Sequence, residues 1–281
     1  MYDIAMRKYL AQFATVLIIT FAWCQSAHAQ DKAVELWRLD CGRIEVGDVD
    51  YFSDSFAYPG ISKTLTDSCY LIRNGEQYLL WDTGMPREFK TKPLQEGGDT
   101  SSLDTLLVDQ LEVIDVKPSE ITFIGVSHYH YDHTGQAEDF EAATLLIDKK
   151  DWEVVKSRED LSIRFASWVS GNRKSELLTW DKDVFGDGSV IILRTPGHTP
   201  GHRSLLVNLK DHGPVLLSGD AAHFRENWSD RVVPSFNTSR SESLASMERL
   251  QDISNRLGAT LIIQHDLGDI GKLASFPASS K

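Results

Sequence analysis

Cysteine is scarce in this sequence, with only 3 Cys among 281 residues. One of them, Cys24, lies in an N-terminal segment that we expect to be removed, which leaves Cys41 and Cys69. Two cysteines alone do not make a thiolate metal site. Any metal bound by this chain must therefore be held by histidine and carboxylate side chains.

Basic residues are also few, with 29 Lys and Arg against 41 Asp and Glu, so the formal net charge is −12. A chain this acidic is repelled by nucleic-acid phosphates and by anionic lipid surfaces. The composition therefore predicts no nucleic-acid partner. Neither glycine nor proline is in excess (19 Gly and 9 Pro), and 41% of residues are hydrophobic, which excludes fibrous and disordered classes.

One long hydrophobic run stands out, from Tyr9 to Trp23, directly after the basic pair Arg7 and Lys8. The run is shorter than the ~20 residues that a membrane-spanning helix needs. A small-x-small sequence that ends at Ala29 follows it, as in secretory signal peptides. We therefore expect a signal peptide over 1–29, a folded domain over 30–281, a periplasmic or secreted location and no stable membrane anchor after cleavage.

Two alternatives concern the cysteines. A lipid anchor on Cys24 is disfavoured because the preceding Trp23 is larger than the small residue such a site requires. Cys41 and Cys69 lie in strand-like stretches, and we expect two small, buried, unpaired side chains. A disulfide is the alternative, because export leads to an oxidising compartment.

The rest of the chain alternates between strand-like and helix-like segments. The turn Asn74-Gly75 predicts a hairpin, and helical periodicity predicts helices over 103–114 and 240–257. Strands are predicted at 68–73, 77–82, 121–127, 143–148, 190–194, 203–208, 214–219 and 260–264. We find no repeat and no linker, which favours one α/β domain with sheets covered by helices. The residues after Leu273 are expected to be loose.

Histidines and aspartates gather at the ends of these predicted strands: His128, His130, Asp132, His133, His198, Asp220 and His265. His128 and His130 are two apart at a strand end, so they share a face and can converge on one ion. Asp132 and His133 lie beyond the turn that follows the strand and can bind a second ion. A single histidine is usually a surface or hydrogen-bonded residue, but packing does not explain the whole set. These ligand types favour zinc, with iron, cobalt or manganese as alternatives.

The pattern His-x-His-x-Asp-His after a strand, with later His, Asp and His, resembles the metallo-β-lactamase superfamily. The turn Asp82-Thr83-Gly84 resembles the one beneath that family's metal site. The resemblance implies a four-layer αβ/βα sandwich with two divalent metal ions. It implies that one metal is held by His128, His130 and His198, the other by Asp132, His133 and His265, with Asp220 bridging. Asp82 would then orient a ligand histidine.

Within the superfamily, the chain most resembles N-acyl-homoserine lactonases, over 82–86, 127–135 and 195–202. The resemblance implies attack of an activated water on an acyl carbonyl, with Asp132 and Asp220 orienting the nucleophile. Where those lactonases carry a substrate-contacting tyrosine, three residues after Asp220, this chain has His223. An imidazole can hydrogen-bond a developing oxyanion or protonate a leaving group, so we predict a catalytic and substrate-binding role for His223. His202 is not expected to bind metal.

The aromatic stretch 51–58 would border the acyl-chain site in the resembled lactonases, and Phe56 and Tyr58 are its predicted substrate-binding residues. Packing of these rings on the sandwich is the alternative. The predicted function is an exported lactonase that opens N-acyl-homoserine lactones, which is quorum quenching. The alternatives are a metallo-β-lactamase, a broader lactonase or esterase, and a metal-binding protein without catalysis. The predicted partner is a small acyl substrate, and the sequence leaves a homodimer open.

Overall fold

The computed structural model describes residues 33–281. The predicted signal peptide therefore lies outside the described residues. Within the described range, no helix is long and apolar enough to cross a membrane.

The larger of two sheets contains eight strands of the described chain. Their bounds are β1 Glu35–Val46, β2 Lys63–Asn74, β3 Gln77–Trp81, β4 Leu94–Glu96, β5 Asp99–Ser102, β6 Phe123–Gly125, β7 Thr144–Asp148 and β8 Ser175–Leu178. The strand order is β4-β5-β1-β2-β3-β6-β7-β8. The pairs β3–β6, β6–β7 and β7–β8 are parallel and the others antiparallel. The carboxyl ends of β3, β6 and β7 therefore meet at one edge.

The smaller sheet contains five strands, with bounds β9 Lys182–Asp183, β10 Val190–Arg194, β11 Arg203–Leu209, β12 Gly213–Leu217 and β13 Thr260–Ile262. The strand order is β13-β12-β11-β10-β9. Only the β12–β13 pair is parallel within this sheet. Because β11 runs opposite to its two neighbours, β10, β12 and β13 share one direction, and their carboxyl ends also lie at one edge.

The α-helices of the described chain are α1 Leu107–Val113, α2 Tyr131–Thr134, α3 Lys149–Ser157, α4 Glu159–Ser162, α5 Ala166–Val169, α6 Arg225–Asp230 and α7 Arg240–Leu257. Short 3₁₀ turns lie at Val49–Phe52, Arg87–Lys90, Pro118–Glu120, Ala137–Asp139, Ile163–Phe165, Gly219–Ala221 and Leu267–Lys272. The longest helix, α7, begins where the Ser239 side chain accepts a hydrogen bond from the backbone N–H of Glu242. It ends at Gly258, whose positive φ of 63° suits glycine.

Apolar side chains stack these elements in four layers. The space between the sheets is filled from both sides, by Ile72 and Leu79 on one and Ile192 and Leu205 on the other. Helices α1 and α3 pack on the outer face of the larger sheet, and α7 packs on the outer face of the smaller one. The order helix, sheet, sheet, helix confirms the predicted αβ/βα sandwich.

Cys41 and Cys69 form a disulfide between β1 and β2, with Cα atoms 5.7 Å apart. The prediction that they are buried is confirmed, but the prediction that they are unpaired was wrong. A shift in the β1–β2 register between Asp40 and Gly42 places Cys41 beside Cys69. That register follows from pairing of distant residues and was not visible in either strand alone.

The segment after Leu273 is tied to the larger sheet, so the expectation of a loose tail was wrong. Ser280 and Leu36 exchange backbone hydrogen bonds of 2.9 and 2.8 Å. The indole N–H of Trp37 donates to the carbonyl of Pro277, 240 residues further along the chain. These partners are so distant in sequence that local composition gave no sign of them.

Candidate metal centre and active site

Turns at the carboxyl ends of strands in both sheets meet in one place. The larger sheet contributes the turn from β6 into α2, and the smaller sheet contributes the turns after β10, β12 and β13. The structure brings together all seven predicted ligands in two groups: His128, His130, His198 and Asp220 in one, and Asp132, His133 and His265 in the other. Within each group the candidate ligand atoms lie within 4.8 Å of one another.

Three members of the first group are histidines whose ring nitrogens face one another. Nδ1 of His130 lies 2.8 Å from Nε2 of His128 and 3.0 Å from Nε2 of His198. Burial lowers the pKa of all three rings, to about 4 for His130. The rings are therefore neutral at neutral pH, and their converging lone pairs are suited to a cation.

The second group combines two histidines with a carboxylate. Oδ2 of Asp132 lies 3.7 Å from Nε2 of His133 and 3.9 Å from Nε2 of His265. Burial opposes a charge on His265, but Asp220 and Asp132 outweigh it and raise its pKa to about 9. The carboxylates thus make this place attractive to positive charge.

Asp220 lies between the two groups and turns one oxygen to each. Its Oδ2 is 3.6 Å from Nε2 of His128 and 3.4 Å from Nε2 of His198. Its Oδ1 is 3.4 Å from Nε2 of His133 and 3.1 Å from Nε2 of His265. A carboxylate in this position can bind a cation on either side.

The donor atoms fit divalent cations. Nε2 of His133 and Oδ1 of Asp220 are buried without a hydrogen-bond partner. Buried polar atoms are nearly always satisfied, so two such atoms facing the same space indicate a bound group. Imidazole nitrogens with carboxylate oxygens suit zinc, and also iron, cobalt and manganese.

Outer hydrogen bonds fix the orientation of the rings. Three are held through Nδ1 by an oxygen: His133 by Asp82 at 2.9 Å, His198 by Asn237 at 3.1 Å and His265 by the backbone carbonyl of Thr66 at 2.9 Å. An acceptor at Nδ1 favours the tautomer that keeps the lone pair on Nε2. The three rings therefore present Nε2 to the site.

Asp82 makes the contact that the sequence predicted for it. It follows β3 with a left-handed φ of 59°, which is uncommon for a residue other than glycine. One carboxylate oxygen accepts from the backbone N–H of Ser127 at 2.6 Å, and the other contacts the His133 ring. Asp82 therefore fixes both the start of the histidine turn and one of its rings.

His202 has no ring nitrogen free for a metal. Its Nε2 accepts a hydrogen bond from the backbone N–H of Asp220 at 2.8 Å, and its Nδ1 lies 2.9 Å from the carbonyl of Thr195. His202 thus positions the backbone of Asp220, a role that nothing in its local sequence indicated.

His223 lies beside both groups. Its Nε2 is 3.2 Å from Oδ2 of Asp220, and its ring stacks on His265 with centroids 5.6 Å apart. The His223 ring also contacts Phe52, with ring centroids 4.7 Å apart. Nδ1 is buried and has no partner, and burial lowers the pKa of the ring. The ring is therefore a neutral polar group at the edge of the site.

A cavity of about 490 Å³ opens above these residues. One part of its wall is apolar and consists of Ile44, Phe52, Leu65, Leu94 and Phe236. Its charged lining residues outside the histidine groups are Glu96 and Asp99. No lysine or arginine lines it in the described part of the chain. The cavity therefore suits a molecule with an apolar portion and no strong negative charge.

Phe56 and Tyr58 do not line this cavity, which corrects the prediction made for them. The Phe56 side chain is 81% exposed. Tyr58 is buried, packs edge-on against Phe224 and donates its hydroxyl to Asp230 at 3.2 Å. Their neighbours Tyr51 and Phe52 line the cavity instead, because the 3₁₀ turn at Val49–Phe52 decides which rings of the stretch point inward.

Two further cavity features were missed from the sequence. The hairpin of β4 and β5 supplies Leu94, Glu96 and Asp99, and the Gly97-Gly98 pair at its turn was an available signal. Phe236 packs on Phe52 with ring centroids 5.5 Å apart. No local pattern marks Phe236, because its place depends on the chain between α6 and α7.

Comparison with known proteins agrees with this geometry. The Metallo-beta-lactamase superfamily matches residues 64–265. The N-acyl homoserine lactonase AttM of Azorhizobium caulinodans is 28% identical over 219 residues, which cover 70% of this chain and 80% of that protein. An N-acyl homoserine lactonase of Bacillus cereus is 30% identical over 217 residues, covering 74% and 84%. A solved N-acyl homoserine lactone hydrolase, with N-hexanoyl-L-homoserine at its catalytic metal centre, is 25% identical with a TM-score of 0.75, covering 88% of this chain and 99% of that one.

The sandwich and its two groups of ligands, together with these relatives, define a metal-dependent hydrolase. Family membership follows from the match over most of the described chain. The chain belongs to the metallo-β-lactamase superfamily.

Proposed function

We propose that this protein is an exported, dinuclear N-acyl-homoserine lactonase that opens the lactone ring and so quenches quorum signals. The observation that carries the proposal is the position of Asp220. Its two oxygens face two separate groups of histidines below a cavity with an apolar wall. The relatives named as lactonases support the substrate.

The residues divide between two cations. His128, His130 and His198 would hold one, Asp132, His133 and His265 the other, and Asp220 both. Zinc is the proposed metal. Divalent ions in such a site polarise an acyl oxygen and lower the pKa of water so that it attacks at neutral pH.

The chain's own groups complete the chemistry. Asp132 accepts a hydrogen bond from the attacking water and so orients it toward the carbonyl. The Nε2–H of His223, which faces Asp220, donates a hydrogen bond to the oxygen that gains charge, or to the leaving alkoxide, and its burial makes that bond stronger than in water. Tyr51 and Phe52 flank the acyl chain on the apolar side.

The cavity favours a lactone over a β-lactam. A homoserine lactone with its acyl chain is uncharged, whereas common β-lactams carry a carboxylate. The cations would attract any anion, but apart from them no lysine or arginine among the described lining residues would bind that carboxylate, and Glu96 and Asp99 would repel it.

Parallel hydrolysis assays test the proposal. We expect the wild-type protein to open N-hexanoyl-homoserine lactone, to lose this activity with a chelator and to leave nitrocefin intact. Asp220→Ala should abolish the activity and lower the metal content from about two ions per chain. Asp160→Ala, which removes an exposed carboxylate bonded to Arg158, is the matched control and should change neither. Faster turnover of nitrocefin than of the lactone would indicate a β-lactamase. Turnover of neither substrate would indicate a protein that only binds metal.

Export is the other part of the proposal, and the Cys41–Cys69 disulfide supports it because such bonds persist in oxidising compartments. Protein from a periplasmic extract of the native host should begin after Ala29. Active protein that retains Met1 in the cytoplasm would contradict export.

A further inference from the structure

Tyr51 and Asp99 join two walls of the cavity. Tyr51 belongs to the 3₁₀ turn Val49–Phe52, and Asp99 begins β5. The phenol donates to Oδ2 of Asp99 at 2.6 Å, and both residues line the cavity. A hydrogen bond between a hydroxyl and a carboxylate is among the stronger ones in proteins. The distance between the two walls therefore depends on this pair.

Asp99 and Tyr51 each make further hydrogen bonds to neighbouring segments. The other oxygen of Asp99 accepts from the backbone N–H of Gly47 at 3.1 Å. The carbonyl of Tyr51 accepts from the backbone N–H and the hydroxyl of Ser235, at 2.9 and 3.0 Å. The Tyr51 ring lies between Phe52 and Phe236, with centroid distances of 4.5 and 5.9 Å. Tyr51 thus connects three segments of the cavity wall.

The β4–β5 hairpin has few other ties near its turn. β4 is the edge strand of the larger sheet. β5 pairs with β1 from Thr100 to Ser102, so this pairing stops one residue short of Asp99. The turn consists of Gly97 and Gly98, both with positive φ, and an added side-chain carbon would touch nothing at either. The position of the turn therefore rests on Asp99. Leu94 pairs with Ser101 at the other end of β4, so it is tied to the turn through the β4–β5 ladder.

We propose that the Tyr51–Asp99 hydrogen bond fixes the width of the acyl-binding part of the cavity and so selects lactones by acyl-chain length. This inference rests on the proposed lactonase function. Leu94 lies on the hairpin, whereas Phe52 and Phe236 lie on the other two segments. Release of the hairpin would widen the space between these apolar side chains, which favours longer chains and loosens the fit of short ones.

The test compares Tyr51→Phe with the wild type on lactones from N-butanoyl to N-dodecanoyl. Phenylalanine keeps the ring and removes the hydroxyl. The ratio of kcat/KM for the dodecanoyl over the butanoyl substrate should rise about tenfold, the lower end of what an apolar pocket achieves in discriminating between alkyl groups of different size. Tyr58→Phe is the matched control, because it removes a phenol–carboxylate bond from the same stretch outside the cavity. It should leave this ratio unchanged.

Hydrogen exchange supplies a second measurement that needs no substrate. Backbone amides of 94–102 should exchange faster in Tyr51→Phe. They should exchange at least as fast in Asp99→Ala, which also loses the bond to Gly47, and the double variant should match Asp99→Ala. The Tyr58→Phe control should keep wild-type exchange over this segment. An unchanged chain-length ratio in an active Tyr51→Phe enzyme overturns the inference and leaves the lactonase standing. An altered ratio without faster exchange overturns it as well. Absence of lactone turnover in the wild type would instead remove the proposed function.

Discussion

The His223 ring has one nitrogen engaged by the protein and one without a partner. Nε2 is 3.2 Å from Asp220, whereas Nδ1 is buried and unsatisfied. The ring is also confined between His265 and Phe52, so it cannot turn freely. A fixed polar group at the cavity edge is preorganised, which is what stabilisation of a developing charge requires.

Replacement of His223 by alanine should therefore affect the transition state rather than metal binding. We expect His223→Ala to lower kcat/KM for a homoserine lactone by roughly 10²-fold, the lower range for one positioned donor. His223→Tyr, which installs the residue of the resembled lactonases, should retain much more activity. Metal content by elemental analysis should stay at the wild-type level in both. Wild-type turnover by the alanine variant would show that His223 is a bystander.

The segment between β10 and β11 illustrates how an element places a ligand. Asp151 of α3 accepts from the Thr199 hydroxyl at 2.7 Å and from the backbone N–H of Gly201 at 2.6 Å. On the other side, a side chain at Gly197 would overlap the backbone of Ser243 in α7, so the segment fits tightly there. His198 is thus carried by a turn held between two helices.

The same Asp151 makes stability depend on pH. Burial raises its pKa from 3.8 to about 7. The folded protein therefore keeps this proton to a higher pH than the unfolded chain, and stability is lost as pH rises from about 4 to about 7. Asp151→Asn preserves an acceptor for Gly201 and does not ionise. It should gain about 2 kcal/mol relative to the wild type between about pH 5 and about pH 8, measured by urea unfolding. A constant difference across this range would refute the raised pKa.

At the scale of the whole molecule, the site joins the two sheets. His128 to His133 follow a strand of the larger sheet, whereas His198, Asp220 and His265 follow strands of the smaller one. A cation held by both sets links the sheets at one edge, in addition to the apolar side chains between them. Because the unfolded chain does not hold these ligands together, bound metal stabilises the folded state.

Removal of metal should therefore lower the melting temperature. We expect a chelator to reduce Tm by about 10 °C, in calorimetry at constant pH, with recovery when zinc is restored. The Asp220→Ala variant, which holds less metal, should show a smaller difference in Tm with and without chelator. If wild-type protein stripped of metal, as verified by elemental analysis, kept its Tm, the site would contribute nothing to joining the sheets.

The sequence predicted the bounds of some strands and helices and the candidate ligands at their ends. It did not predict features that depend on how one strand pairs with another. The long helix α7 and strand β10 have the predicted bounds, since capping residues and apolar periodicity are local signals. The seven candidate ligands, which the structure brings together, were identified because they follow predicted strands. The Cys41–Cys69 bond escaped prediction because it depends on the register of β1 against β2, which neither strand shows alone. The Gly97-Gly98 turn was a local signal for the cavity hairpin, but its place at the cavity depends on the pairing of β5 with β1.

The order of the ligands along the chain has a consequence for synthesis. The first, His128, is made well before the last, His265, which follows the final strand β13. A nascent or prematurely ended chain that stops before β13 lacks His265 and one strand of the smaller sheet. Such a chain cannot gain the full stabilisation that bound metal gives to the complete fold. Fragments therefore unfold more readily than complete chains and are more exposed to proteolysis.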